Sequence, residues 1–233
     1  KKKASPKISF NEVQDRAKKH KTKILQVTAK ILSTSDNFFY GHETKKLEQN
    51  LLKYLGGKGF VTTVSSGHDA LLIALASLNL KPTDEIVFPV NSYPTAFPVS
   101  LSRGRVIPVD VDENAQMSVE ELEKKITKKT KVIILVHLYG LVGNIEQIKK
   151  IARKNKIILV EDCAQAFGTN YKGKPVGTFG DVSCFSFYPT KNFATLGDGG
   201  ALFTKNKKLY DYFLKAKGYG EKNRYDSEFI FGH

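Results

Sequence analysis

Seven short apolar runs between residues 60 and 204 constrain the fold of this chain more than any other feature of its sequence. Each run is rich in valine, isoleucine or phenylalanine and almost continuously apolar, which is typical of strands covered on both faces. The runs are Phe60–Val64, Glu85–Val90, Val106–Val109, Val132–His137, Ile157–Val160, Val182–Phe187 and Ala201–Thr204. Because amphipathic segments separate them, the pattern predicts an α/β domain with a mostly parallel sheet.

Capping residues mark the amphipathic segments as helices. Ser118 and Glu121 have the spacing of a capping box, and Asn144 and Asn206 each precede a helical pattern. Gly218 is expected to stop the last of these helices. The predicted helices are Ala70–Leu80, Ser118–Lys129, Asn144–Lys154 and Lys207–Lys217.

The first 55 residues follow a different pattern. Val13–Ser33 and Glu43–Tyr54 are predicted to be helices, joined by an aromatic turn at Asp36–Gly41. We therefore expect an N-terminal helical segment at 1–55 and a large α/β domain at 56–233. The last residues show no clear terminating element, so we expect the fold to continue beyond them.

Charge and cysteine content limit the class of protein. The formal net charge is +14, but the lysines are spread over many segments, which indicates a solvated basic surface. Such a surface attracts phosphorylated substrates, and charge alone leaves nucleic-acid or membrane-surface binding open. Cys163 and Cys184 form no CxxC pattern, so we expect neither a disulfide framework nor a cysteine metal site.

No apolar run approaches the ~20 residues that a membrane span needs. The basic start of the chain, KKKASPKISFNEV, lacks the apolar segment of a signal peptide. We expect a soluble, cytoplasmic protein with no membrane partner and no specific nucleic-acid partner.

Three predicted strands end in residues that can do chemistry. Ser66-Gly67-His68 follows the first strand and starts a helix, where free N–H groups can bind a phosphate; an ordinary capped helix is the alternative. Asp162 ends an apolar strand and needs a partner such as a protonated heterocyclic nitrogen, or else caps a helix. Lys191 follows a buried-looking strand and can attack a carbonyl as a neutral amine, or else is a solvated loop lysine.

Taken together, the three strand ends fit pyridoxal 5′-phosphate (PLP). Its phosphate requires hydrogen-bond donors, its ring nitrogen requires an anion, and its aldehyde requires an amine. Parallel α/β sheets bind ligands beyond the carboxyl ends of their strands, and all three groups are predicted there.

Other ligand motifs fail. The sequence has no GxGxxG, and the GxxxxGK match at 168–174 places Pro175 where a magnesium-binding hydroxyl belongs. The five histidines show no HxxxH or HExxH spacing, so we expect no metal site.

The sequence resembles the DegT/DnrJ/StrS family of sugar aminotransferases, which are PLP enzymes of fold type I. The resemblance runs from about Ile8 to the end of the chain, and the matching motifs have the family's order and spacing. They are VSSGHDAL at 64–71, VHLYG at 136–140, EDCAQAFG at 161–168, YKGKPVG at 171–177, FSFYPTK at 185–191 and the glycine pair at 199–200. The resemblance implies a three-layer α/β/α large domain, here without the family's small C-terminal domain.

The resemblance assigns roles by position. Lys191 is implied to bind the cofactor covalently and to move protons, and Asp162 to pair with the pyridine nitrogen. Gln165 corresponds to a residue near the phenolic oxygen. Tyr93 corresponds to the aromatic ring that stacks on the cofactor, and Ser186, like Ser66, Gly67 and His68, to a phosphate contact.

The resemblance further implies a homodimer with shared active sites. The substrates would be a nucleotide-linked keto sugar and an amino donor, usually glutamate, in amino-sugar or surface-polysaccharide biosynthesis. Two departures stand out: His68 replaces the usual threonine, and the family's sequences continue well beyond residue 233.

Two alternatives remain at this point. One is the family's dehydratase branch, which uses pyridoxamine phosphate (PMP) and carries histidine in place of the lysine, so that Lys191 argues against it. The other is a non-catalytic homologue that binds a partner through its basic surface.

Overall fold

The computed structural model describes residues 13–34, 38, 40–223 and 225–229. The chain divides into two compact units, residues 1–45 and residues 46–233. Helix α1, Val13–Leu32, lies in the first unit and buries none of its residues. Helix α2, His42–Tyr54, ends in the second. Three residues of the predicted aromatic turn and the first twelve of the chain lie outside the described residues.

The large unit alternates strands and helices, and all seven predicted strands form within two residues of their expected bounds. The elements are β1 Phe60–Val64, α3 Gly67–Ala76, β2 Glu85–Pro89, α4 Tyr93–Leu101, β3 Arg105–Val109, α5 Val119–Lys125, β4 Thr130–Val136, α6 Ile145–Asn155, β5 Ile158–Asp162, β6 Asn170–Tyr171, β7 Lys174–Pro175, β8 Val182–Ser186, β9 Gly200–Thr204, α7 Lys207–Ala216, β10 Glu221–Asn223 and β11 Asp226–Ser227. A 3-10 turn covers Leu138–Gly140.

The seven long strands form one sheet in the order β1-β9-β8-β5-β4-β2-β3. Strand β9 runs antiparallel to its neighbours β1 and β8. The remaining pairs, β8–β5, β5–β4, β4–β2 and β2–β3, are parallel. Six strands therefore point the same way, and their carboxyl ends meet at one edge. The expected α/β fold with a mostly parallel sheet is confirmed.

Helices cover both faces of the sheet. Since successive side chains of a strand point to opposite faces, each strand packs against helices on both sides. Along β4, Val132, Ile134 and Val136 pack with α3, α4 and α7. Ile133 and Leu135 pack instead with α5 and α6. A third apolar cluster joins Leu51 and Leu55 to β1, β8 and β9. Double-sided burial explains why the strands read as continuous apolar runs.

Three helix predictions needed correction. Helix α3 spans Gly67–Ala76 instead of the expected Ala70–Leu80. Helix α5 starts as expected, with Glu121 N–H donating to Ser118 Oγ, but ends at Lys125. The hydroxyls of Thr127 and Thr130 donate to the buried Glu85 carboxylate, and this turn replaces the expected last helical turn.

A further correction concerns Asn144, which does not cap α6 with its side chain. Its amide donates to Asp112 Oδ2 and to the Met117 carbonyl. By contrast, Asn206 caps α7 as predicted, by accepting from the N–H groups of Lys208 and Leu209.

Several elements were not predicted, among them α4, the β6–β7 hairpin and the β10–β11 hairpin. Helix α4 contains Pro94 at its start and Pro98 inside, which weakened its helical signal. The GxxxxGK segment forms the β6–β7 hairpin, whose turn at Lys172 and Gly173 has positive φ at both residues. As Pro175 indicated, no helix follows that turn. No helix in the described part of the chain is long and apolar enough to span a membrane.

A polar link joins α2, β1 and the end of α7. Glu48 Oε1 accepts from Thr63 N–H at 2.8 Å and from Thr63 Oγ1 at 2.9 Å. Lys217 Nζ lies 3.4 Å from Glu48 Oε1 and donates to Thr62 Oγ1 at 2.6 Å. Burial lowers the pKa of Lys217, against the attraction of the Glu48 carboxylate.

We predict that Glu48→Gln lowers the free energy of unfolding by about 1–3 kcal/mol, since it removes the charge that faces a partly buried ammonium. Urea unfolding followed by circular dichroism measures this. The matched control is Glu120→Gln, whose exposed pair with Lys124 should matter little. Equal effects of the two substitutions would contradict the prediction.

Candidate active site

The candidate site lies at the sheet edge where the six parallel strands end. The predicted residues follow these ends in the chain: Ser66–His68 after β1, Tyr93 after β2, Gln165 after β5 and Lys191 after β8. Asp162 is the last residue of β5 itself. Strand topology therefore places Ser66 and Lys191, which are 125 positions apart in the chain, at the same edge of the sheet.

Ser66, Gly67, Ser186 and Gly200 form a tightly packed cradle. Val64 and Ser186 both pair with Gly200 across the sheet. A Cβ on Gly67 would lie 2.6 Å from the Cβ of Ser186, and one on Gly200 would collide with the backbone of Ser66. Only glycine fits at both positions.

The cradle surrounds the start of α3. Ser66 is the N-cap, and its Oγ accepts from Asp69 N–H at 3.0 Å. The first N–H groups of a helix have no acceptor within the helix and carry its positive dipole end. The cradle thus offers donors to an anion. His68 is exposed in this first turn, where the family resemblance led us to expect threonine.

Asp162 is 5% exposed and held from two sides. Its Oδ2 accepts from Thr95 Oγ1 at 2.7 Å, and its Oδ1 accepts from Ala164 N–H at 3.0 Å. These bonds set the orientation of the carboxylate without neutralising its charge.

Thr95 is a site residue that sequence reasoning missed. It lies in α4 and is 1% exposed. Since its proton goes to Asp162, the Ser92 hydroxyl 2.6 Å away donates to Thr95 Oγ1. A threonine 67 positions from its carboxylate partner gives no sequence signal, because the pairing depends on how α4 packs.

Tyr93 begins the same helix and is 73% exposed. Its ring meets Phe97 edge-to-face at a centroid distance of 5.0 Å. Most of the Tyr93 side chain is therefore accessible to a ligand.

Gln165 lies in the turn after β5. Its Oε1 accepts from Tyr139 N–H at 2.8 Å. Tyr139 itself has φ of +59°, a strained conformation for a residue with a side chain. Gln165 thus supports the VHLYG turn beside the site.

Lys191 is half-buried in the loop that follows β8. Its N–H donates to the Tyr188 carbonyl at 2.8 Å. Phe187 closes the loop, since its N–H donates to Gly199 O at 2.7 Å and its carbonyl accepts from Thr195 N–H at 2.8 Å. The lysine is thereby held on a compact loop that begins next to the cradle residue Ser186.

His137, Glu161 and Cys163 lie behind Asp162 with ligand-type atoms within 4.8 Å of one another. Glu161 Oε2 accepts from His137 Nε2 at 3.1 Å. Burial raises the pKa of the Cys163 thiol well above its ordinary value, so that the thiol stays protonated. Because the carboxylate already has donors and the thiol is neutral, we assign no metal to this group.

We predict that Gly67→Ala lowers the free energy of unfolding by about 1–3 kcal/mol, because the new methyl group overpacks the contact with Ser186. It should also weaken phosphate binding, measured by calorimetric titration. Gly197→Ala is the control, since nothing lies within 4 Å of a Cβ there. A neutral effect of Gly67→Ala would contradict the cradle.

A second prediction concerns Thr95→Val, which keeps the shape but removes the donor to Asp162. We expect a loss of about 1–3 kcal/mol in unfolding free energy, because a buried carboxylate loses one hydrogen bond. Thr95→Ser, which retains the hydroxyl, should recover most of it. Equal losses for both variants in urea unfolding would show that packing alone matters.

Comparison with known proteins places this site in context. The model of the DegT/DnrJ/EryC1/StrS aminotransferase family matches residues 18–233. GDP-perosamine synthase of Escherichia coli O157:H7 is 44% identical over 191 residues, which are 81% of this chain and 50% of that protein. UDP-N-acetyl-3-dehydro-alpha-D-glucosamine 3-aminotransferase of Acidithiobacillus ferrooxidans is 36% identical over 89% of this chain and 56% of that protein.

A solved structure agrees. NtdA from Bacillus subtilis with bound cofactor PMP superposes with a TM-score of 0.90 and 32% identity, covering 100% of this chain and 53% of that one. The chain spans about half the length of the curated relatives named above. The family match over most of its residues shows that the chain belongs to the DegT/DnrJ/EryC1/StrS aminotransferase family.

Proposed function

We propose that this protein is a PLP-dependent aminotransferase that transfers an amino group, with glutamate as donor, to a nucleotide-linked keto sugar. One observation carries the proposal: the glycine cradle, the buried Asp162 and Lys191 converge at one sheet edge. These groups are what the phosphate, the ring nitrogen and the aldehyde of PLP require. Relatives named for GDP- and UDP-linked sugars support the substrate class.

The residues present fit the cofactor. The cradle has no room for a Cβ at Gly67 or Gly200, so backbone can approach a phosphate closely. Asp162 is buried, and its donors Thr95 and Ala164 are uncharged. A buried carboxylate held by neutral donors is suited to a cationic partner. NtdA, similar in fold, was solved with PMP.

Each residue then has a task. Ser66, Gly67, His68 and Ser186 would bind the phosphate. Asp162 would accept a hydrogen bond from the protonated ring nitrogen. The bound cofactor supplies an electron sink for the substrate carbon.

The remaining residues act on the ring and the reacting carbon. Tyr93 would pack against the ring, and Gln165 would lie near its phenolic oxygen. Lys191 would bind the cofactor through its Nζ, and its free amine would move protons, taking one from the donor's α-carbon and delivering one to the sugar carbon that receives the amino group.

We assign cofactor binding to the α/β domain at 56–233, with 1–55 as the helical segment. We also propose a cytoplasmic homodimer whose subunits share active sites. Exposed aromatic rings at the site edge support an interface there, namely Tyr93, Tyr139 and Tyr188. Cys163 and Cys184 are both free thiols, which agrees with a reducing compartment.

The test is absorbance of the purified chain titrated with PLP. We predict that the wild-type chain binds PLP with a visible absorbance band that Lys191→Ala abolishes, because the covalent link is lost. Lys208→Ala, an exposed lysine on α7, should behave as wild type.

Two outcomes would contradict the proposal. The first is a band that survives in Lys191→Ala with the cofactor bound as firmly. The second is no uptake of PLP combined with steeply salt-dependent polyanion binding, which would favour a non-catalytic binding protein.

A further inference from the structure

Two neighbouring carboxylates end strand β5 and face opposite sides of the sheet. Asp162 faces α4, where Thr95 holds it. Glu161 faces the other side, is 0% exposed and has no part in the proposed function. A fully buried carboxylate is costly unless every oxygen is bonded, so its presence next to Asp162 requires an explanation.

Glu161 is fully bonded. Its Oε2 accepts from His137 Nε2 at 3.1 Å and from Gly177 N–H at 2.9 Å. Its Oε1 accepts from the N–H groups of Phe179 and Gly180 at 2.8 and 2.5 Å. Burial alone would raise the pKa of Glu161, but the bond from His137 and those from Gly180 and Gly177 outweigh it and hold the pKa below its ordinary value.

His137 links this network to Asp162. It follows β4 and is fully buried. Its side chain bonds Glu161, and its backbone N–H donates to the Asp162 carbonyl at 3.1 Å. One residue therefore holds both members of the carboxylate pair, one through its ring and the other through its backbone.

Histidine satisfies Glu161 at a cost of its own. The His137 Nδ1 is buried and has no hydrogen-bond partner among the described residues. Such an atom costs free energy, which offsets part of what the Nε2 bond to Glu161 contributes. Residues that break a local rule in this way are expected at functional positions.

We propose that His137 and Glu161 are positioning residues for Asp162, fixing from behind the sheet how far its carboxylate reaches toward the cofactor's ring nitrogen. Thr95 and Ala164 set the rotation of the carboxylate, whereas His137 and Glu161 set the backbone that carries it. The inference rests on the proposed function, since Asp162 is there assigned to that nitrogen.

The experiment compares binding of PLP with binding of its 1-deaza analogue, in which carbon replaces the ring nitrogen. His137→Leu removes the donor to Glu161 at similar volume. We expect it to weaken PLP binding about tenfold, as for a lost charged hydrogen bond. Binding of the deaza analogue should be unchanged, because that ring makes no bond to Asp162.

Three further variants serve as controls. His137→Gln, which keeps a donor, should restore PLP binding. Glu161→Gln should show the same selective loss and replaces His137→Leu if that variant does not fold. Ile148→Ala, buried in the same core on α6, should lower stability without selective loss. In an Asp162→Ala background, His137→Leu should have no further effect on PLP binding.

The positioning role alone would be overturned if His137→Leu lost equal affinity for PLP and for the deaza analogue. It would also be overturned if His137→Leu bound PLP as well as the wild type does. Additive effects of His137→Leu and Asp162→Ala would do the same. A wild-type chain that binds PLP only when Lys191 is present keeps the proposed function intact in those cases. If the wild-type chain does not bind PLP, both the proposed function and this inference are overturned.

Discussion

The burial of two adjacent carboxylates at the end of β5 organises the site. Glu161 and Asp162 end the central strand of a sheet that is covered on both faces, and a buried charge without hydrogen-bond partners is costly there. Their partners therefore come from four different places: α4, the end of β4, the turn at 177–180 and the turn after β5. Satisfying these two groups fixes the relative positions of the elements that make up one wall of the site.

The glycine cradle depends on close backbone contacts and not on buried charges. Glycine at 67 and 200 lets β1, β8 and β9 approach so closely that the start of α3 packs on Ser186. Strand β9 makes this possible, because it runs antiparallel between β1 and β8 and brings its first residue to the edge where the other strands end. The start of α3 and the loop of Lys191 thus share one anchor.

Much of the fold could be predicted from sequence, because double-sided burial requires continuous apolar strands. Every long strand was found in this way, as were the caps Ser118 and Asn206. The misses have physical causes: prolines hid α4, and hydroxyl bonds to Glu85 ended α5 early. In the site, motifs pointed to Asp162 and Lys191, whereas Thr95 and His137 carry meaning only through partners distant in the chain.

The sequence by itself determined the strands, the family and the residue types of a cofactor site, since these depend on local periodicity and on motifs of adjacent residues. Tertiary structure decided the reversed direction of β9, the close contact between Gly67 and Ser186, and the partners of both carboxylates. The physical reason is that hydrogen bonds and steric contacts between distant segments depend on strand order, which local sequence patterns do not encode.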